Sequence, residues 1–239
     1  MGRRLPPSGL IFKPCDGTAP PAVGPIISAV DGNLAERVER LLAGPRPLPI
    51  VTAGDPVLRT PADRYDGQLA DHLFAELITA MRESMHAAPG VGLAAPQVGL
   101  PLALAVLEDP ATVPPEVAAA RDRHPLPFRV IVNPRYEPIG PERAAFFEGC
   151  LSVPGYQAVT ARAHRVRLRG TDEHGTAVDE ELSGWAARIV AHETDHLAGV
   201  LYLDRAELRS LASTGQYLAR WSQPDPGPAA LALGFEPGR

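Results

Sequence analysis

The sequence predicts an α+β fold of short antiparallel strands interleaved with helices. Three observations predict it. Two segments, Asp66 to His86 and Trp185 to Leu197, carry apolar residues at helical spacing. Arg165 to Arg169 alternates Arg, Val, Arg, Leu, Arg, the period-two pattern of a strand with one wet face. The other apolar runs are short and do not alternate regularly with helices, which argues against a parallel βαβ array.

In chain order, residues 1–47 read as an extension that is Pro/Gly-rich and unperiodic through about residue 25. Within it, Asn33 caps a short helix to Ala43 with Leu34, Val38, Leu41 and Leu42 on one face. In the first long helix Leu69, Leu73, Leu77 and Met81 recur every four residues; Asp66 or Gly67 opens it and Pro89-Gly90 closes it. Leu102 to Leu107, Phe128 to Val132 and Arg143 to Phe147 are strands. Between the first two, Glu108 to Pro127 is a long loop whose Glu116 to Arg123 stretch forms one or two helical turns. Asp172-Glu173-His174-Gly175 turns the chain from Arg165–Arg169 into a strand over Ala177 to Leu182. Ser183 caps the second long helix and Gly199 follows its end. Val200 to Leu203 reads as another strand and residues 205–221 as helix, so 212–239 holds a helix end and a Pro/Gly-rich tail.

Composition excludes several classes of function. The chain has 239 residues, 45% hydrophobic and 21% charged, which suits a globular core. Its 27 prolines and 22 glycines point to rich loops and ends, short of wholesale disorder. A net charge of −5 predicts no nucleic-acid partner, and no apolar run is long enough for a membrane span. Cys15 and Cys150 are too few for a disulfide framework and read as free thiols in a reducing compartment. Arg3 and Arg4 precede no apolar run, so a secretory signal is not expected and a cytoplasmic location is. Organellar import stays open, since residues 1–30 hold three basic groups and Asp16 as their one acid.

The chemistry concentrates in three segments. His192-Glu193-Thr194-Asp195-His196 places two imidazoles one helical turn apart, where both can reach one metal, with Glu193 in reach of a water on it. The bland alternative is two exposed or capped histidines. A third protein ligand is then needed, and Cys150 in Glu148-Gly149-Cys150-Leu151-Ser152 is the candidate, against the alternative of a buried inert thiol. Gly90-Val91-Gly92-Leu93-Ala94-Ala95-Pro96-Gln97 offers a backbone that another group can approach, and Gln97 is an amide donor suited to a developing oxyanion. Alone, that segment would be a tight turn. His164 and its neighbouring arginines read as a solvated face, not an anion site.

GVGLAAPQ, EGCLS and HETDHLAG resemble, in order and spacing, the three signature motifs of the peptide deformylase family, and the resemblance runs over 48–211. The Pro-rich insertion before Phe128, EGCLSVPGYQAV and GWAARI are most similar to actinobacterial and mitochondrial variants. The resemblance implies a fold in which the strands surround a central helix carrying the H-E-x-x-H residues. It implies that Cys150, His192 and His196 bind one divalent ion, Fe²⁺ by expectation, with Zn²⁺, Ni²⁺ or Co²⁺ as replacements. It further implies Glu193 as general base and acid acting through metal-bound hydroxide, with Gln97 and the Leu151 N–H stabilising the oxyanion. Gly90, Val91, Gly92 and Leu93 would pair with the substrate backbone, Arg188 and Ile189 would line the side-chain pocket, and Glu148 would pair with Arg162 to brace the metal loop. Ala191 departs from the glutamine usual before the first histidine.

The implied reaction releases formate from formyl-methionyl nascent peptides, in transient proximity to the ribosome, by a monomer or homodimer. Two other readings fit the residues less well. An ordinary H-E-x-x-H zinc peptidase needs a downstream ligand, and no histidine follows His196. A silent or spare copy serving as a binding module would have lost a ligand, base or donor, yet all are present.

Overall fold

Among residues 33–238, which the computed structural model describes, the chain folds into α1 (Leu34–Leu42), α2 (Asp71–Ala87), β1 (Gly92–Ala94), β2 (Leu104–Asp109) and α3 (Pro115–Ala120). There follow β3 (Leu126–Pro138), β4 (Arg143–Cys150), β5 (Val153–Ala163), β6 (Arg165–Thr171), β7 (Ala177–Ser183) and α4 (Gly184–Leu197). The chain ends in β8 (Ala206–Ser213), α5 (Thr214–Gln216) and α6 (Gly227–Leu233). Cys15 and the basic residues of the first 30 lie outside the described residues.

All strand pairs within the two sheets are antiparallel, one sheet ordered β1-β2-β3-β6-β7 and the other β4-β5-β8. Because neighbouring strand residues face opposite sides, the β1–β2 end of the larger sheet, whose residues are nearly all buried, packs on both faces. Leu93, Leu104 and Val106 meet Leu73, Leu77 and Met81 of α2, whereas Ala94, Ala105 and Leu107 meet Trp185, Ile189 and Val190 of α4. The helix bearing the two histidines is thus held on one face of the sheet.

Asn33 caps α1, its side chain accepting from the Glu36 N–H at 3.0 Å, and Val38 joins the α2 core. The first long helix opens at Asp71, not Asp66 or Gly67. Gln68 accepts from the Asp66 N–H at 2.8 Å and donates to the Arg64 carbonyl at 2.8 Å, so a local turn competes with helix there.

Three readings near the smaller sheet are corrected. β5, for which no strand was expected, lies between β4 and β8, so most of its residues are buried and no wet–dry alternation marks it. Residues 206–213 form β8 and not a helix. Leu208 and Leu211 mimic a helical stripe but are exposed, while Ser210 accepts from the Val159 N–H at 2.7 Å and ties β8 to β5. Val200 to Leu203 yields only a short turn over Tyr202–Asp204. Within the expected tail, α6 and Phe235 pack with Tyr217, Phe147 and Val159 as a further cluster. No described helix is long and apolar enough to cross a membrane.

Candidate metal centre

The position of α4 is set at its first residue. Gly184 adopts φ +57°, and a Cβ there would lie 2.2 Å from the Asp122 carbonyl oxygen, which accepts from the Trp185 N–H at 3.1 Å. From this anchor the helix presents His192 and His196 with ring centroids 5.0 Å apart. Cys150 ends β4 at a register shift between Gly149 and Cys150, where the chain turns into β5. Its Sγ lies 3.2 Å from His196 Nε2, and one ligand atom from each of Cys150, His192 and His196 falls within 4.8 Å of the others.

The electrostatics suit a cation. Burial works against charge on His192, but the Cys150 and Glu148 contacts outweigh it and push its pKa up to about 10. Its Nδ1 lies 3.1 Å from Glu148 Oε2. His196 is held well below the usual imidazole range by burial and by the charge on His192, so it keeps a lone pair free. A sulfur, a neutral imidazole and an imidazole whose surroundings favour positive charge form a soft set of three donors for one divalent ion, which leaves a position for water.

Behind the ligands lies a buried ionic network. Arg162 donates to both Glu148 oxygens at 2.7 and 3.0 Å and to Asp195 Oδ2 at 2.7 Å. Arg188 also donates to Glu148, and to the carbonyls of Thr160 and Ala144. The two arginines shift in opposite directions. Burial lowers both, but two carboxylates raise Arg162 overall, whereas Arg188 shares one and falls to about 10. Glu148 is itself held well below the carboxylate range by Arg162 and Arg188, against the effect of burial.

Glu193 is buried and its Oε2 has no partner among the described residues. Burial pushes its pKa up to about 7, against the pull of His192 and Arg162. Its side chain lies on the backbone of Gly92, where a Cβ would come 2.3 Å from Oε1. Gln97 accepts from the Ala94 N–H at 2.8 Å, which turns its Nε2 toward Ser152 Oγ at 3.3 Å and Cys150 Sγ at 3.6 Å.

Gly90, Val91, Gly92, Gln97, Glu148, Cys150, Leu151, Arg188, Ile189, His192 and Glu193 line one pocket, joined by Gly149 and Trp185. Leu93 turns instead into the α2 core, and His196 and Arg162 sit behind the wall, almost fully buried. β1 is an outer strand of its sheet, paired on one side by β2. The family model for polypeptide deformylase matches residues 47–211, across all three of these segments. The chain belongs to the polypeptide deformylase family.

It is accordingly an enzyme of the hydrolase class, with close relatives in actinobacteria. It is 69% identical over 203 residues to peptide deformylase 1 of Streptomyces coelicolor, covering 85% of this chain and 93% of that one. To the mitochondrial peptide deformylase of Homo sapiens it is 36% identical over 213 residues, or 84% of this chain and 86% of the relative. The crystal structure of the Thermotoga maritima peptide deformylase superposes with a TM-score of 0.55 at 36% identity, covering 66% of this chain and 96% of that one.

Two groups in this deformylase escaped the sequence reading. Asp195, inside the H-E-x-x-H run, accepts from Arg162, from Tyr136 Oη at 3.0 Å, and from Arg205 at 2.8 and 3.0 Å. Its signal was present, as an acid three residues after His192 and seven after Arg188 on one side of α4, but its partners come from β3, β5 and the turn after α4. Trp185 stacks edge-on against Phe146 and lines the pocket; it reads in sequence as ordinary core.

Proposed function

We propose that this chain hydrolyses the N-terminal formyl group of formyl-methionyl nascent peptides, releasing formate and a free amine. The observation that carries the reading is the meeting of Cys150, His192, Glu193 and Gln97 at one pocket beside an outer strand, with His196 directly behind them within ligand distance of Cys150 and His192. Cys150, His192 and His196 would hold one divalent ion, Fe²⁺ by preference with Zn²⁺, Ni²⁺ or Co²⁺ as replacements. Such an ion supplies a Lewis acid that polarises the formyl carbonyl and makes water more acidic.

This chain's residues do the rest. Glu193, with a pKa near 7, accepts a proton from the attacking water and later delivers it to the departing amine nitrogen. The C–O bond to water forms and the C–N bond breaks. Gln97 Nε2 and the Leu151 N–H donate to the oxygen on which charge develops. Glu148, with Arg162 and Arg188 behind it, fixes the orientation of the His192 ring. The backbone of Gly90 to Leu93 pairs with the peptide as an added strand, and Ile189, Arg188 and Trp185 wall the methionine pocket. The proposed setting is the cytoplasm, in transient proximity to the ribosome.

Formate release from formyl-Met-Ala-Ser tests this, using protein purified without oxygen and assayed with and without a chelator. Chelator-sensitive turnover is expected. Glu193→Ala should retain the metal and lose roughly a hundredfold or more of the rate, while Cys150→Ser should weaken or change the metal. Turnover by Glu193→Ala within tenfold of the parent would remove Glu193 from its role.

A further inference from the structure

The aim of Gln97 depends on contacts from outside its own turn. Ala95–Val98 forms a single tight turn that Gly99 ends at φ +84°. The Gln97 carbonyl accepts from the Val51 N–H at 2.8 Å, and the Gly99 carbonyl accepts from Arg37 Nη2 at 3.2 Å. The segment that supplies Val51 also reaches the turn between β4 and β5, where the Ala53 N–H donates to the Ser152 carbonyl at 2.7 Å. Upstream, that segment is pinned on α2. The Leu48 N–H donates to Ser84 Oγ at 2.8 Å, and Arg46 pairs with Glu76 and Glu83, each at 3.1 Å. α1 stands at its head, with Val38 fully buried in the cluster that also holds Ala95 and Val98. Arg37 is half-buried next to Val38 and extends from α1 to the Gln97 turn. Both α1 and Arg37 precede residue 47, where the family match begins.

We infer that Arg37 is a positioning residue for the deformylation, holding the turn so that Gln97 Nε2 faces the oxygen on which charge develops. The inference rests on the deformylase reading, in which Gln97 supplies that donor. A donor stabilises a transition state most when it is fixed before the charge appears. A glutamine side chain is long, so a small shift at its backbone is magnified at Nε2, and small misplacements are costly to rate. Its Oε1 is tied to the Ala94 N–H, but the place from which the side chain starts is set by the turn. An isolated helix of nine residues is marginal, whereas α1, packed on α2 through Val38, offers Arg37 a rigid base. Without the guanidinium, the Gly99 carbonyl turns to water and the turn relaxes about its remaining bond to Val51. Cys150, His192 and His196 stand on β4 and α4, so metal binding does not depend on Arg37.

The test measures kcat and KM for formyl-Met-Ala-Ser, and bound metal per chain, in the parent, Arg37→Met and Arg37→Lys, each with and without Gln97→Ala. Arg37→Met should lower kcat roughly fivefold, a fraction of the hundredfold or more that loss of a whole donor costs, with KM and metal content unchanged. Arg37→Lys, which still donates to a carbonyl, should recover most of that loss. With Gln97→Ala already present, Arg37→Met should change kcat no further, because both act through one group. An unchanged kcat in Arg37→Met, no recovery by lysine, or an undiminished loss in the Gln97→Ala background would each overturn the inference. Amide hydrogen exchange reads the same contact without turnover. The Ala94 and Val51 N–H groups, both bonded to Gln97, should exchange roughly tenfold faster in Arg37→Met while those of α4 keep their rates. Unchanged exchange at both, or faster exchange throughout the chain, would count against the positioning role. Absence of formate release by the parent would count against the proposed reaction, and the exchange rates would still decide whether Arg37 holds Gln97.

Discussion

Two arginine–carboxylate clusters of nearly the same chemistry sit in this molecule at opposite extremes of burial. On β6 and β7, Arg167 makes a bidentate pair with Asp179 at 2.6 and 3.1 Å, flanked by Arg165 with Glu181 and Arg169 with Glu137. Behind the metal ligands, Arg162 makes a bidentate pair with Glu148 at similar distances. The side chains of the first pair are 42% and 47% exposed, and those of the second 3% and 4%. Water screens the outer cluster, whose Asp179 and Glu181 lie on the outer strand β7. The inner cluster has lost its hydration, so each charge depends on its neighbours and on their geometry. Similar hydrogen bonds therefore have different consequences: one set keeps a surface wet, the other fixes an imidazole.

The strongest way to break this comparison is Arg162→Met. It leaves Glu148 and Asp195 buried with fewer countercharges, and removal of one partner from such a cluster costs about 3–5 kcal/mol. The thermal midpoint should fall by roughly ten degrees. A fall of under about two degrees would mean that Arg188 alone suffices for Glu148.

An intermediate case sharpens it. Asp204 accepts from Arg59 and from the Leu201 N–H at 2.8 Å, and both groups of the ion pair are half exposed. Burial raises its pKa, but the Arg59 and Leu201 hydrogen bonds outweigh this and leave it lowered. A lowered carboxylate stabilises the fold above its unfolded pKa of about 4, and the contribution is lost as pH falls through the folded value. Asp204→Asn should thus cost about 0.5 kcal/mol at neutral pH, a difference that closes on acidification below about pH 4. Denaturant titrations at pH 7 and pH 3 compare the two, and an undiminished gap at pH 3 would show that charge is not the cause.

The smallest effect belongs to Arg167→Ala. No resolvable change in the thermal midpoint is expected, at low or high salt, because solvent already competes for both partners. A loss comparable to that of Arg162→Met would erase the distinction between the two clusters.

Much of this was legible along the chain wherever one element contains its own evidence. The four-residue spacing of His192 and His196 puts both rings on one helical face whatever else the fold does. The Arg-Val-Arg-Leu-Arg run fixes a half-wet strand, and Asn33 fixes a helix start. β5 and β8 were not legible, because their strand character comes from pairing with β4 and with one another, and Leu208 and Leu211 locally imitate a helix. Glu193 on Gly92, Cys150 against His196 and Arg162 between Glu148 and Asp195 likewise join distant segments. The sequence by itself determined which residues could do chemistry and on which helical face two of them lie. Only the tertiary structure decided which backbone Glu193 covers, which charges share one buried carboxylate, and which turn Arg37 reaches. Periodicity is a property of neighbouring residues, whereas burial and pairing depend on which distant segments the closed fold brings together.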